Sequence, residues 1–341
     1  MTVPEAVVKR WATMEGQKLR VAVLRSIERR RALHSVPGLT RRDGLWDLRG
    51  LPFPSGFRWT ASRWAEVNLD GAELELQVFV ACRFERVYFG SARLAGSIDY
   101  GGHFVDVQVT DADWRGFGFG MGHGQVIRGV RLGESIYQRC RFRRALFYRG
   151  SFGSPWFEDC DFDHCAWGHT LDFYATHLRR VCFSGELFDT KWWGTCKYMP
   201  SEPNPMDHVD FSAATLKWPL FVGACDLERV QFAQDGKHWL IPRAATALAT
   251  LQATLSDRGW SAEWQMVADR WMRNFARHAT DTNPYVIHIE ALVKVAGRSL
   301  ERASARALVE AFLEAVGAEQ PPTIDLEPPA PCRLPWGPSD A

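Results

Sequence analysis

The sequence predicts a mainly β chain organised as a solenoid, with an α-helical cap at its N-terminus and an α-helical domain at its C-terminus. Three observations predict it. From Val67 to Gln234 the large apolar residues recur every five positions, whereas a helix repeats at about 3.6 and a strand at 2. The residue two before each large one is usually small. After residue 239 the apolar spacing becomes helical. A period of five implies a chain that turns by a fixed angle per unit and stacks on itself.

Residues 1–66 read as a basic helical cap and lead-in. They hold 13 Lys or Arg against 6 Asp or Glu. Pro4 suits the first turn of a helix running to about Leu33. Val7, Val8, Trp11, Leu19, Val23, Leu24 and Ile27 give it an apolar face. The stretch from Val36 to Phe57, rich in Gly and Pro, reads as an irregular cap on the first coil. Arg29, Arg30 and Arg31 are a candidate anion or partner site, with Arg41 and Arg42 nearby. A solvated helix end is the plainer reading, because positive charge at a helix C-terminus is favourable in itself.

Residues 67–234 carry the repeat. From Cys140 it can be cut as CRFRR, ALFYR, GSFGS, PWFED, CDFDH and CAWGH. The large central residue of each unit is its anchor. Anchors run from Leu69, Leu74, Phe79, Phe84, Phe89 and Leu94 to Phe104, Val109, Trp114 and Phe119. The register slips after Gly118–Gly124 and resumes at Leu132, Tyr137, Phe142, Phe147, Phe152, Phe157, Phe162 and Trp167. A second slip leads to Leu178, Phe183, Phe188 and Trp193. After an insertion at Met199–Asp207 come Phe211, Leu216 and Phe221, then Leu227 and Phe232. Small residues such as Ala72, Cys82, Ala92, Gly102, Cys140 and Cys160 precede the anchors by two. One large and one small inward position per side describes a narrow tube.

The units VNLDG, AELEL, CRFER, ARLAG, CDFDH and VDFSA resemble the pentapeptide-repeat family, whose consensus is roughly A-(D/N)-L-x-x. The resemblance covers about half the chain. It implies a right-handed quadrilateral parallel β-helix with four units per coil. This chain departs by favouring Phe and Trp over Leu. About seven coils, stacked at about 4.8 Å, make a rod on the order of 35 Å long. Residues twenty apart then stack: Arg139 over Asp159, Arg141 over Asp161, Arg143 over Asp163, Arg86 over Asp106 and Arg93 over Asp113. The basic cluster Arg139, Arg141, Arg143, Arg144 and Arg149 is therefore either a surface charge ladder or a patch that binds a partner. The ladder is the plainer reading.

Residues 235–320 read as a helical domain. Helices are expected over Arg243–Ser256, Ala262–His278, Pro284–Ala296 and Leu300–Val316, with Ser261 and Ser299 as N-caps and Gly297 and Gly317 as stops. Trp264, Val267, Trp271, Met272 and Phe275 form one apolar face. It serves either internal packing or a homodimer through these helices. Residues 321–341 are Pro-rich and read as an extended tail, draped over the body or offered to a partner.

Composition narrows the function. The 341 residues are 46% hydrophobic and 24% charged, with a net charge of +1, so bulk attraction to nucleic acid or membrane is not expected. The first twenty residues hold no apolar core before a cleavage site, and no apolar run reaches about 18 residues. A cytoplasmic protein without a membrane segment is the expectation. Cys160, His164, Cys165 and His169 alternate between inward and outward positions and cannot converge on a metal. GFGFGMGHG (Gly116–Gly124) lacks the lysine of a phosphate loop and reads as a change of register. Asp99 falls on an anchor slot. The expectation is a bulge at Ser97–Gly102 that exposes it; the alternative is a buried carboxylate with a perturbed pKa. No catalytic residue, metal or cofactor is expected.

The reading is a non-enzymatic protein-binding module, of an adaptor or an immunity or resistance type. The resemblance implies an alternative: DNA mimicry that engages a type II topoisomerase, DNA gyrase, and gives resistance to antibiotics that poison it. Such a mimic should be markedly acidic, and residues 67–234 hold 17 basic against 21 acidic residues. A further alternative is nucleic-acid binding through the basic N-terminal segment.

Overall fold

The computed structural model describes residues 4–331, apart from 128, 169–170, 175, 196–203, 205 and 224. Parallel strand pairing builds a four-sided solenoid. One outward column runs continuously along the second side: Asp47, Asn68, Tyr88, Gln108, Arg141, Asp161, Cys182, Asp210 and Gln231. Neighbours in it are 20 or 21 residues apart, except between Gln108 and Arg141 and between Cys182 and Asp210. Eight steps of about 4.8 Å give a rod of about 38 Å. A β-hairpin, Val126–Ile127 with Val130–Arg131, projects at the first long step.

The five-residue period has a backbone cause. The second residue after each anchor is left-handed, through Ala61, Glu66, Gly71, Leu76, Ala81, Arg86, Ser91, Gly96, Gly101, Asp106, Asp111 and Gly116. Each such residue turns one corner. Outside glycine this conformation costs roughly 1–2 kcal/mol, so the corners must be offset by the ladder and by contacts.

The interior is aromatic. On the first side Phe84, Phe104, Tyr137 and Phe157 stack with centroids 4.9, 4.6 and 4.8 Å apart. On the second side Phe142, Phe162, Phe183 and Phe211 stack at 4.7, 5.0 and 5.1 Å. On the fourth side Phe119, Phe152, Phe173 and Trp192 follow one another at 4.9, 4.6 and 4.0 Å, the middle pair tilted by 34°. Stacked rings add stabilisation beyond their buried area, which accounts for Phe and Trp in place of Leu. The anchor near residue 193 is Trp192, which is fully buried; Trp193 points outward and bonds Asp172. Leu187 is likewise buried where Phe188 was expected. The ladder shifts register between Cys182 and Ser184, and that bulge moves the frame by one. Most of the insertion at Met199–Asp207 lies outside the described residues.

Parallel pairing begins before Val67. Trp46 pairs with Val67, Pro52 with Glu73, Trp59 with Phe79 and Trp64 with Phe84. The lead-in is thus itself a coil, hidden in the sequence because Trp and Pro occupy its slots. Helix α1 (Glu5–Lys9) and helix α2 (Met14–Glu28) are separated by a 3-10 turn, and Thr13 caps α2 by accepting from Gly16 N–H. Trp11, Val23 and Ile27 close the first coil over Leu48, Leu51 and Trp59. Asp47 locks this cap: Arg10 and Arg49 both bind its carboxylate at 2.8–3.0 Å. These arginines hold it well below the usual carboxylate range, against the opposing effect of burial.

At the other end, His238–Ile241 and Tyr285–His288 form an antiparallel pair. Around it lie helices α3 (Ala244–Thr254), α4 (Ala262–Phe275), α5 (Ile289–Ala296) and α6 (Arg302–Ala315). The start of the expected third helix is a strand, since Val286 and Ile287 are β-branched and completed by a partner strand. Ser261 caps α4, and Glu301 rather than Ser299 occupies the N-cap of α6. Val267, Trp271, Met272 and Phe275 are buried within this domain, with Phe312 of α6 against Trp271. Among the described residues no helix is long and apolar enough to cross a membrane.

Candidate functional site

The interior is filled with side chains, so the outer faces are what the coil presents to its surroundings. Corner residues stack like the strands between them, and one corner column reads Glu66, Arg86, Asp106, Arg139, Asp159, Arg180. Its charges alternate. Each arginine pairs with the acid of the preceding coil: Arg86 with Glu66 at 2.5 Å, Arg139 with Asp106 at 2.8 Å and Arg180 with Asp159 at 2.6 Å. In the next corner Arg144 binds Asp111 at 2.6 and 2.7 Å. Three of these four pairs use both carboxylate oxygens, the geometry in which Arg–carboxylate pairs are strongest. The contacts sit on left-handed corners and offset their strain.

This places the candidate residues. Arg141 and Arg143 pair with Asp161 and Asp163 at 3.2 and 3.3 Å, as the twenty-residue stacking requires. Arg139 stacks over Asp159 but bonds Asp106. Arg86 and Arg93 likewise pair backward, with Glu66 and Glu73, rather than forward with Asp106 and Asp113. Arg149 is exposed and forms no ion pair among the described residues. The same holds for Arg29, Arg30 and Arg31. The structure does not bring these two groups together: Arg29–Arg31 follow α2 at one end and Arg149 lies mid-rod. Arg30 and Arg31 line a cleft of about 450 Å³ with Arg41, Trp46, Arg63 and Glu66. There the Arg41 guanidinium lies 4.6 Å from the Trp46 ring centre and 2.7 Å from Glu66.

Asp99 corrects the sequence reading. The register holds and no bulge exposes it: Phe79 pairs with Asp99, which is fully buried. It accepts from Tyr137 Oη–H at 2.8 Å and from Gly102 N–H at 3.0 Å. Burial pushes its pKa up to about 6, with Ser135, Tyr137 and the backbone acting in the other direction. The carboxylate is enclosed by the tube, so it serves the fold rather than an external ligand. Cys82, Cys140, Cys160 and Cys165 are buried, and burial raises the Cys82 thiol to about 12. These are small inward residues whose thiols point to backbone carbonyls. His169 lies outside the described residues.

Sequence reasoning left the place of the tail open. Glu319 pairs with Leu240, and the chain then runs back along the rod. Gln234 Nε2 donates to the Pro321 carbonyl at 2.8 Å. Ile324 N–H donates to Gln231 Oε1 at 2.6 Å, and Ala330 N–H to Asp159 Oδ1 at 3.0 Å. These partners are 93 and 171 residues away in sequence, and only the proline content hinted at an extended course.

A parallel, four-sided coil with one five-residue unit per side is the fold of pentapeptide-repeat proteins, and this chain has that fold. No family model and no curated protein matches it. Among solved structures, a trypsin-treated form of QnrB1, a plasmid-mediated fluoroquinolone resistance protein, aligns at 14% identity and a TM-score of 0.26, covering 55% of this chain and 90% of that one. HetL, a pentapeptide repeat protein involved in heterocyst differentiation regulation from the cyanobacterium Nostoc sp., aligns at 11% identity and a TM-score of 0.21, covering 59% and 88%. The fold assignment rests on the coil geometry itself.

Proposed function

We propose that this chain is a non-enzymatic protein-binding module that recognises its partner with the outside of the solenoid. The observation that carries this reading is the stacked aromatic interior, with rings 4.0–5.1 Å apart along three sides. A tube so filled has no room for a substrate, while its outer side chains stand at fixed steps of about 4.8 Å on a rigid ladder. An adaptor or an immunity or resistance protein needs this kind of surface. The topoisomerase alternative calls for a face acidic along its length; the alternating corner column favours a partner with mixed charge instead.

The test is affinity capture with the full chain and two variants, Arg149→Glu and the triple change of Arg29, Arg30 and Arg31 to Glu. A partner enriched by the wild type and lost from either variant is expected. No enrichment over a tag-only control would sink the reading. Strong inhibition of gyrase supercoiling by the purified protein would put the topoisomerase reading first. Arg30 and Arg31 in the N-terminal cleft favour a second reading, contact with a phosphate backbone. It requires a mobility shift that weakens steeply with salt.

A further inference from the structure

The second side of the solenoid already holds a peptide. Residues 319–331 leave the helical domain and run from the rung of Gln231 to those of Cys182 and Asp161, ending beside Arg141. Three steps separate the rungs of Gln231 and Asp161, about 14 Å. The six residue steps from Ile324 to Ala330 reach about 19 Å in an extended, polyproline-like form, enough to span that distance on a slant towards the Asp159 corner. Ile324 and Leu326 are half-buried while Asp325 and Glu327 are exposed, so the segment lays one edge on the face. It is fastened by its own backbone: Ile324 N–H to Gln231 and Ala330 N–H to Asp159. Beneath Pro329 and Ala330 is a cleft of about 310 Å³ whose floor includes Cys140, Asp161 and Cys182.

The receiving side is prepared for this. Asp159 is held by Arg180 at 2.6 and 3.0 Å, with the same Oδ1 that accepts from Ala330. Arg180 and the Ala330 N–H together keep the carboxylate ionised below its ordinary range, against the effect of burial. Gln231 is also buried, and its amide nitrogen donates to the Phe232 carbonyl at 2.6 Å, which turns Oε1 towards the tail. Two fixed acceptors, matched to main-chain donors six residues apart, recognise an extended backbone and ask little of its side chains.

Resting on the protein-binding reading above, we propose that this side is a groove for an extended, proline-bearing peptide of the partner, and that residues 321–331 are a resident copy of that ligand which the partner displaces. Prolines hold such a segment extended before it binds, which lowers the entropy cost of docking. The partner segment has apolar residues two apart and free N–H groups six apart.

The experiment uses the full chain. Ile324→Pro with Ala330→Pro removes both tail donors and leaves the groove untouched; circular dichroism checks that the fold is retained. The probe is a labelled synthetic peptide of residues 319–331 with the wild-type sequence. It should bind the double variant saturably and at least tenfold more tightly than the wild type, whose groove is occupied. Hydrogen exchange of residues 320–331 should be slow in the wild type and fast in the variant. A peptide carrying both prolines should not bind. Equal binding to both proteins, absence of binding to the variant, or equal binding of the proline-substituted peptide would overturn the groove. Because the peptide is the chain's own, this outcome is independent of whether affinity capture finds a partner.

Discussion

Asp106 and Arg139 lie 33 residues apart and clasp each other through two bonds of 2.8 Å across a single coil step. Both backbones are left-handed, and their side chains are only 7% and 18% exposed. This pair closes the coil from which the hairpin projects. Asp106→Ala should therefore cost about 2–3 kcal/mol, because it strands a mostly buried guanidinium. Asp161→Ala removes a more exposed partner, that of Arg141, and should cost less than about 1 kcal/mol. Urea denaturation of the two variants checks the order; equal losses would refute the distinction between corner and face pairs.

Arg149 pays corner strain with no carboxylate in return. It is left-handed, with φ of 59°, and exposed. Asn adopts this conformation more readily. Arg149→Asn should stabilise the protein by roughly 0.5–1 kcal/mol, read as a rise in the thermal midpoint. At Arg139 the same change should destabilise, since there the ion pair is lost.

The anchors of most units and the twenty-residue stacking were legible in the sequence, because a five-residue frame repeated many times fixes what faces inward. The first coil was not, since Leu48, Phe53, Trp59 and Trp64 have Pro and Gly between them and step by six from Phe53 to Trp59. The direction in which Arg86 and Arg139 reach was not either: stacking is symmetric, and either neighbouring coil offered an acid. Asp99 was misjudged because the donor that satisfies it, Tyr137, lies 38 residues on. The tail on its groove left almost no trace, as it is fastened through main-chain donors that any residue but proline supplies.

Tyr137→Phe tests the buried carboxylate. The folded-state pKa of Asp99 is raised, from 3.8 to about 6. Its contribution to stability is therefore fully present below about pH 3.8 and is lost as pH rises through about 6. Above that pH the ionised group depends on its donors. Phe keeps the stacking on Phe104 and Phe157 but removes one donor. The loss should be about 1–3 kcal/mol at pH 8 and smaller at pH 5. Chemical denaturation at the two pH values decides it, and a loss independent of pH would argue that Asp99 does not titrate here.

His288 predicts the opposite slope for the helical domain. It is buried at the N-cap of α5, accepts from Ala291 N–H through Nδ1 and faces His238 at 4.9 Å. Burial, and then the neighbouring His238, lower its pKa from 6.5 to about 4. A depressed pKa means that stability present above pH 6.5 is lost as pH falls towards 4, by at most about 3 kcal/mol. His288→Asn retains a capping side chain and removes the titration. The thermal midpoint of the helical domain should fall between pH 6.5 and 4 in the wild type and stay flatter in the variant.

Gly102 occupies the small inward position that is Ala at 72, 92 and 112, and the reason is Asp99. A Cβ at residue 102 would stand 2.2 Å from Asp99 Oδ1 and 2.9 Å from the Phe104 ring. The carboxylate cannot retreat, because its other oxygen is bound to Tyr137. Gly102→Ala should therefore cost more than about 2 kcal/mol, although alanine suits that slot elsewhere. In an Asp99→Ala background the oxygen is gone and the same change should cost much less. A double-mutant cycle on unfolding free energies measures this coupling, expected at about 1 kcal/mol or more. Strict additivity would show that Phe104 alone excludes the methyl group, and that the glycine and the carboxylate are independent features of the tube.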